Sequence, residues 1–386
     1  MSNHLPFDRE SVTWDSLSVH SASIQGLSLE EQWAASQAYL HLKAQFGDEF
    51  LSQAFTLYHP LLEYLCNYAP WTRKWAIWFS AALKDFQSAG NYQSLINRLI
   101  DRNKFGEGIS VLTYAHKFLK EGFEICFDPP VVKKQVVKRP DFKISDIKSG
   151  VVLYVEVSEM GQSLQDMDID TTFHAITSLL SFQSPFILYS GQVFKALSKN
   201  HLVEIVERVK EKIRVAQMGQ GVQTLSIPGV IELGLALEVD KPALDVWARQ
   251  RGFPGNSFSG PPLNTDEVYR IRRGIQKEQD QLPEESPNVV IIRNDRLFMF
   301  KTNLAHDINL LEEQVYEHSH LLFGIVSGNF TGTDGGHEQA KDEHIYIRKI
   351  YFDILQRHFI VIKNKFCKHQ VSDGIQLRIL NAIRNH

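Results

Sequence analysis

Two acidic residues, Asp141 and Glu156, have the side chains and the sequence surroundings that metal-ion chemistry would use. Asp141 lies in Arg-Pro-Asp-Phe-Lys at 139–143, and Glu156 interrupts the apolar run Val-Val-Leu-Tyr-Val-Glu-Val-Ser at 151–158. A carboxylate within a buried strand is unfavourable by several kcal/mol unless its charge is compensated. A divalent cation would compensate it, since Mg²⁺ binds through one or two carboxylates and keeps waters as its other ligands.

The two acids lie on strands that the sequence predicts to be neighbours. The polar turn at 145–150 predicts an antiparallel hairpin between strands at 136–144 and 151–158. Pairing Asp141 with Glu156 separates an apolar face from a face that carries the chemical groups. That second face holds Asp141, Lys143, Tyr154, Glu156 and Ser158. Two facing carboxylates repel each other, so one takes up a proton or a divalent cation bridges both.

Other groups flank this pair. The backbone carbonyl of Val157 is a further candidate ligand, and Glu107 lies near the start of a helix predicted to run to Glu121. Oxygen ligands suit Mg²⁺ or Mn²⁺. Together these groups predict a site for metal-assisted hydrolysis of a phosphodiester.

The order of the elements around these residues resembles the PD-(D/E)xK nuclease superfamily. The matching residues are Pro140-Asp141, Glu156 and Glu107, and the resemblance covers about 105–160 and 266–327. It implies an α/β fold with a restriction-endonuclease-like mixed sheet flanked by helices. It also implies a Mg²⁺-dependent nuclease that acts on DNA more than on RNA, with Asp141 and Glu156 as the metal ligands and Glu107 assisting.

Ser158 departs from this resemblance, because the superfamily has a lysine two residues after the second carboxylate. That lysine orients or activates the attacking water and offsets negative charge, which a serine hydroxyl does not do. Lys143 is the nearest substitute on the same predicted face, and Arg273 and Lys277 on a later helix are alternatives. If no cation reaches the site, the fold has kept its metal pocket and lost most of its rate.

Two other interpretations stay open. Glu156 faces solvent on an edge strand or pairs with Lys143 or Arg139, in which case the acids are structural. Alternatively, the chain keeps the nuclease fold as a catalytically inactive module for nucleic-acid binding or protein assembly.

The composition is that of an ordinary globular protein. The chain has 386 residues, 43% of them hydrophobic, and a formal net charge of −4, so any contact with nucleic acid must be local. Cys66, Cys126 and Cys367 show no CxxC spacing, which excludes the usual zinc and dithiol motifs. The sequence has no signal-peptide pattern and no apolar segment of membrane length, which predicts a cytoplasmic protein without membrane contact.

The pattern of elements divides the chain into three parts. Residues 1–104 contain helical periodicity, beginning with the capping box Ser28-Leu-Glu-Glu31, and predict an all-helical unit. Residues 105–330 predict the nuclease-like α/β core, with an insertion at about 161–262. Residues 331–386 form a basic C-terminal extension in which aromatic residues alternate with lysine and arginine, a mixture that suits phosphate contact or a solvated basic face. A homo-oligomer is left open.

Several further sequence patterns favour a structural role over a catalytic or binding one. Trp71, Trp75 and Trp78 share one helix face, which favours core packing or docking over ligand stacking. The glycine-rich segment 328–337 lacks the lysine of a phosphate loop and predicts a turn. The alternating acids Asp166, Asp168 and Asp170 predict a solvated loop, since they lack the glycine and final glutamate of a calcium loop. His318 and His320 lie where a helix is predicted to end, and we expect them to be surface or helix-capping residues.

Overall fold

The structure is a computed structural model. It describes residues 12–133, 135–160, 164–182, 187–255, 257–260, 267–299, 304–331, 339–340, 344–351 and 355–385. Most of the glycine-rich segment 328–337 lies outside the described residues. The chain forms two compact units, one from Met1–Met160 with Glu267–His386, the other from Gly161–Asp266.

Helices dominate the first part of the chain and recur between the strands. Those before the first strand are α1 (Trp14–Ser21), α2 (Leu29–Phe46), α3 (Phe50–Leu57), α4 (Leu61–Leu65), α5 (Pro70–Asp85), α6 (Tyr92–Ile100) and α7 (Phe105–Lys120). Those after it are α8 (Leu164–Phe182), α9 (Lys199–Gln217), α10 (Lys241–Gln250), α11 (Glu267–Glu278), α12 (Leu304–Tyr316) and α13 (Asp373–Asn385). Short 3₁₀ turns span Glu238–Asp240 and Gln279–Gln281.

The predicted helical start of the chain is confirmed, and local sequence accounts for it. The Ser28 hydroxyl accepts the Glu31 amide at 3.1 Å, and the Glu31 carboxylate accepts the Ser28 amide at 2.8 Å. These reciprocal bonds satisfy two amides at the start of α2. Tyr39, Leu42 and Phe79 are fully buried in the core that also receives α7 and the sheet. The N-terminal helices therefore share one hydrophobic core with the rest of their unit.

Strands form one large sheet, a small ribbon and a second sheet. The first strands are β1 (Glu124–Phe127), β2 (Val131–Lys133), β3 (Val136–Lys138), β4 (Phe142–Ser145) and β5 (Val152–Glu159). The second unit contributes β6 (Ile187–Val193), β7 (Gln223–Ile227), β8 (Ile231–Leu237) and β9 (Phe258–Ser259). The last are β10 (Asn288–Met299), β11 (Leu321–Thr331), β12 (Gln339–Ala340), β13 (His344–Tyr351) and β14 (Leu355–Lys363).

Predictions for two segments of strand differ from the structure. The strand expected over 136–144 is split into β3 and β4, because Pro140 has no amide to donate to a ladder. β3 pairs with β2 in a separate ribbon. The apolar runs at 288–292 and 297–300 predict two strands, and the structure has the single strand β10 in their place. The pairing of β10 with β11 shifts register between Asn294 and Leu297.

Among the described residues the large sheet has eight strands in the order β1-β4-β5-β10-β11-β14-β13-β12. Its central strands β5, β10 and β11 are parallel, and the pairs on either side are antiparallel. The C-terminal segment, predicted as a basic extension, supplies β13 and β14 to this sheet. The predicted α/β class is confirmed as a mixed α/β fold.

Both faces of the sheet are covered by helices. Alternate side chains of β10, such as Val289 and Ile291, join the core that contains α7 and α13, while Val290 and Ile292 join a second core. That second core includes Ile271 of α11 together with apolar residues of α12. Burial on both faces explains why the parallel strands read as continuous apolar runs.

The second unit has its own sheet, in the order β7-β8-β6-β9, and its own core. The Pro228-Gly229 turn predicts a hairpin over 222–237. The structure confirms it as β7 and β8, joined through Gly229 at φ +66°. The prediction of a loop around Asp168 is wrong, because this segment is part of helix α8. Ile169, Ile176 and Leu180 are buried at helical spacing, so apolar burial decides its conformation. No helix within the described residues is long and apolar enough to cross a membrane.

Gly324 in β11 tests the packing of α12 on the sheet. A Cβ at this position would meet the side chain of Val315. We expect Gly324→Ala to lower the free energy of unfolding by about 1–3 kcal/mol through overpacking. Gly374 in α13 has nothing within 4 Å of an added Cβ, so Gly374→Ala should leave stability unchanged or raise it. Thermal unfolding of both variants checks this, and equal midpoints would contradict the packing.

Candidate active site

The β4–β5 hairpin has the register that the sequence predicts. Phe142 pairs with Val155 and Ile144 pairs with Leu153. This confirms the predicted pairing and brings Asp141, just before β4, against Glu156. All four paired residues are fully buried in the core, so the apolar face fixes where the acids lie.

Backbone hydrogen bonds tie the two acids together. The Asp141 amide donates to Glu156 Oε2 at 3.1 Å, and the Val157 amide donates to Asp141 Oδ2 at 2.8 Å. Asp141 is 4% exposed and Glu156 is 6% exposed. Within the described residues, the hydrogen bond to the Glu156 carboxylate is made at Oε2.

Arg98 at the end of α6 is the central cation on one side of the pair. Its guanidinium bonds to the carboxylates of Asp141 and Asp128, and it lies 2.8 Å from the carboxylate of Glu107. α6 and α7 approach closely here because Gly108 has no side chain, and a Cβ there would lie 3.1 Å from Leu99 Cδ2. The close approach sets Arg98 beside Glu107 and above Asp141.

Glu278 at the end of α11 completes the other side of the pair. It is 4% exposed, and its Oε1 accepts a hydrogen bond from the Ser158 hydroxyl at 3.0 Å. The amine of Lys277 lies 2.9 Å from the same oxygen. Glu278 therefore connects the strand that carries Glu156 to a lysine on the neighbouring helix.

The predicted site residues are brought together unequally. Glu107 is linked to the acidic pair by Arg98, which bonds to both Glu107 and Asp141. The Glu107 side chain is 46% exposed and lies at the rim of the site. Ser158 contacts Glu278. Lys143 pairs with Tyr154 in the ladder and lines a depression beside β1; among the described residues it forms no ion pair with the site carboxylates. Of the predicted alternatives, Lys277 has its amine at the site, whereas Arg273 is exposed on α11.

Three residues of the site were not singled out by sequence reasoning. Glu278 had a readable signal, because it continues the buried helical spacing of Val268, Ile271 and Ile275. An acid within an apolar helix stripe is as informative as one within an apolar strand. Asp128 follows β1 with φ +44°, and Arg98 lies on an ordinary amphipathic helix, so neither has a local pattern that marks it.

Burial and mutual repulsion change the acidity of the pair. Burial raises the pKa of Asp141 to about 6, although the Arg98 charge and the Val157 amide oppose the shift. Burial raises the pKa of Glu156 well above its usual value, and the charges of Asp141 and Glu278 act in the same direction. Lys277 is held charged, because hydrogen bonding to Glu278 and the nearby acids raise its pKa. The pocket thus favours a proton or another positive charge.

Comparison with known proteins gives no relative. No protein-family model, curated protein or solved structure matches this chain.

The donor set fits a hard divalent cation in chemistry and charge. The acids of the cluster outnumber its cations: Glu107, Asp128, Asp141, Glu156 and Glu278 surround Arg98 and Lys277. The carboxylates and the neighbouring backbone carbonyl offer oxygen, the ligand that Mg²⁺ and Mn²⁺ prefer. Across the described residues, no three His, Cys, Asp or Glu side chains already converge as metal ligands. Both oxygens of the Asp141 carboxylate already accept hydrogen bonds, one from Arg98 and one from the Val157 amide. A metal ion that bound to Asp141 would therefore have to displace Arg98 from its oxygen.

The raised pKa of Asp141 predicts a pH-dependent stability. The folded state binds a proton at Asp141 more tightly than the unfolded state, in which the pKa of this carboxyl is near 3.8. The stabilisation is therefore full below pH 3.8 and is lost as the pH rises through about 6. Between these two pH values, and without divalent cations, the free energy of unfolding of the wild type should fall by on the order of 3 kcal/mol relative to that of Asp141→Asn. Thermal unfolding in EDTA across this range measures the difference; a constant difference would contradict the shift.

Arg98 should be needed for stability as well as for the site. Arg98→Gln leaves the buried Asp141 and the partly buried Asp128 without their cation, which costs about 3–5 kcal/mol. Arg208 in α9 is a matched control, because its pair with Glu204 is solvent-exposed and Arg208→Gln should change stability by less than about 1 kcal/mol. Chemical unfolding of both variants at neutral pH separates the two cases. Equal losses would show that Arg98 is not a buried counter-charge.

Proposed function

We propose that this protein is a divalent-metal-dependent nuclease that hydrolyses phosphodiester bonds, with its site at the start of β4 and the end of β5. The observation that carries the proposal is the contact between the buried acids Asp141 and Glu156, beside the amine of Lys277. The order of α7, β1, β4, β5 and the parallel strand β10 supports a restriction-endonuclease-like core.

Asp141 and Glu156 would hold Mg²⁺ or Mn²⁺, with Glu107 at the rim. A divalent cation bound there supplies Lewis-acid stabilisation of the charge that develops on the scissile phosphate. The chain contributes the orientation of both carboxylates, which are fixed by the backbone amides of Asp141 and Val157. Fixed groups of this kind need little rearrangement during reaction.

Lys277 is the residue that we assign to the role of the missing motif lysine. Its side chain is 75% exposed, so a substrate can reach the amine. Ser158, at the motif position, bonds to Glu278 and thereby orients the carboxylate that holds Lys277. The positive charge would thus come from Lys277 on helix α11, whereas the motif position, Ser158, lies on strand β5. It would offset negative charge on the phosphate and orient the attacking water.

The substrate class follows from charge and from the resemblance. A cluster rich in carboxylates repels a phosphodiester until a cation is bound, which makes metal dependence part of substrate binding. The exposed side of α11 carries Arg273 next to Lys277, which suits the backbone of a nucleic acid. DNA in preference to RNA is the part of the proposal that comes from the resemblance alone.

Nuclease activity should depend on the acids and on Lys277. With Mg²⁺ or Mn²⁺, Asp141→Asn and Glu156→Gln should abolish cleavage of single- and double-stranded DNA. Lys277→Gln should slow cleavage by about 10²-fold or more, as expected for loss of a group that acts in proton transfer or charge stabilisation. Lys210→Gln, an exposed lysine of α9, is the matched control and should be unchanged. Equal rates for wild type and Asp141→Asn would refute the site.

A second candidate function is a catalytically inactive nucleic-acid-binding or assembly module. The ion pair between Arg98 and Asp141 favours it, because a permanent guanidinium can replace a metal as the counter-charge. This function predicts no turnover with any metal and no stabilisation of the protein by Mg²⁺ or Mn²⁺. Ser158→Lys distinguishes the two, since gain of cleavage would favour a weakened nuclease and silence would favour the module.

A further inference from the structure

The ribbon of β2 and β3 carries neighbouring apolar side chains into solvent. Val132, Val136 and Val137 are 71%, 55% and 58% exposed. Single exposed apolar residues are ordinary on a protein surface, whereas several together mark a contact surface. A two-stranded ribbon is also only marginally stable by itself, so it must be held by the rest of the unit.

The strand register divides the ribbon into an outer and an inner face. Val132 pairs directly with Val137, so their side chains share the outer face. Val131 and Lys133 lie on the inner face, since side chains alternate along a strand. Val131 is buried, and the Lys133 amine donates to the Leu282 carbonyl at 3.2 Å. The inner face therefore anchors the ribbon and leaves the outer face to solvent.

Positive charge accompanies these valines. Residues 131–139 read Val-Val-Lys-Lys-Gln-Val-Val-Lys-Arg, with four cations and no acid, in a chain whose formal net charge is −4. Within the described part of the chain, Lys138 forms no ion pair. Arg139 is exposed and donates to a backbone carbonyl, that of Asp128, at 3.2 Å. No described carboxylate offsets either charge, which suits a polyanionic ligand.

The ribbon leads directly into the carboxylate cluster. Asp141 follows Arg139 by two residues, which limits the distance between their Cα atoms to about 7 Å. Asp128, whose carbonyl accepts from Arg139, also bonds through its carboxylate to Arg98, which in turn bonds to Asp141. A ligand that lies along the ribbon therefore passes beside the buried acids.

The dimensions of a two-stranded ribbon match the major groove of DNA. Paired strands lie about 4.8 Å apart, and a strand layer with its side chains is about 10 Å thick. The major groove of B-form DNA is about 12 Å wide and admits such a ribbon, and its thymine methyl groups accept apolar contacts. The major groove of A-form RNA is too deep and narrow for side chains to read. The ribbon thereby gives the choice of DNA over RNA a structural reason.

We propose that the β2–β3 ribbon docks the nuclease on duplex DNA, with the outer face in the major groove and with Lys138 and Arg139 on backbone phosphates. Docking of this kind would bring a phosphodiester to Asp141 and Glu156. The inference rests on the proposed function, because it takes the substrate of the nuclease as the ligand. It adds the surface that selects a duplex. A protein partner or a second copy of the chain would not need a segment with four cations and no acid.

Binding is measured by the fluorescence anisotropy of a short labelled duplex at several salt concentrations, in EDTA, with Asp141→Asn in every protein to exclude cleavage. Lys138→Gln and Arg139→Gln should each weaken binding. Each should also reduce the slope of log affinity against log salt concentration by about one, as expected for the loss of one phosphate contact. Single-stranded DNA and duplex RNA should compete more weakly than duplex DNA.

The outer face is tested with the double variant Val132→Thr, Val137→Thr. Threonine keeps the β-branched shape that suits a strand, so the ribbon should remain folded. Affinity for the duplex should fall by about fivefold or more through the loss of methyl contacts. The salt slope should not change, because these contacts release no counterions.

Matched controls come from α9, which lies in the other unit. Val203 is 60% exposed, and Val203→Thr repeats the same chemical change there. Lys210→Gln removes an exposed charge from the same helix. Both variants should bind the duplex with the affinity and the salt slope of the parent protein. Equal affinity of the ribbon variants and these controls would overturn the inference, as would a parent protein that does not bind the duplex at low salt.

Two further measurements separate the ribbon from other possibilities. Sedimentation of the double valine variant tests self-association: a lower mass with unchanged DNA affinity would assign the ribbon to a second copy and overturn the inference. Cleavage with Mg²⁺, in proteins that keep Asp141, tests the link to the proposed function. Lys138→Gln and the double valine variant should raise KM and leave kcat nearly unchanged, as expected for contacts made equally in the ground and transition states.

The outcomes distinguish this inference from the proposed function. Cleavage by the wild type, with the same KM in the ribbon variants, would keep the nuclease and overturn the ribbon. Loss of duplex binding in the ribbon variants, in a protein that cleaves with no metal, would support the ribbon contact and refute the nuclease.

Discussion

The pairing of β4 with β5 is the constraint on which the site depends. Phe142, Ile144, Leu153 and Val155 are fully buried in the same core, and a shift of one residue would turn them away from it. The energy of burying these side chains therefore fixes the position of Asp141 against Glu156. The unfavourable proximity of two acids is imposed by favourable packing on the opposite face of the hairpin.

The charges around the pair show how the fold accommodates that proximity. Arg98 contacts three acids from one side, and Glu278 links Ser158 to Lys277 on the other. The helices contribute every side-chain cation in the cluster. Arg98 lies on α6 and Lys277 lies on α11, so the two positive charges reach the acids from different helices.

Local patterns were sufficient to predict the hairpin, because its turn, its alternation and its apolar face all specify one register. They also predicted the helical start of the chain, where capping and periodicity agree. The split at Pro140 was readable from the missing amide and was not used. The role of Arg98 was not readable, since Asp128 and Asp141, two of its three partners, are 30 and 43 residues away in the chain. The helix at Asp168 was missed because a run of acids outweighed the apolar spacing of Ile169 and Ile176.

Glu278 and Lys277 belong to the same unit as Glu156, yet the whole of Gly161–Asp266 is synthesised between them. During translation the acids of the hairpin and Arg98 leave the ribosome long before α11 does. A nascent chain therefore lacks Glu278 and Lys277, one carboxylate and one cation of the cluster, until most of the protein has been made. The cluster is complete only when both segments of the large unit have been synthesised.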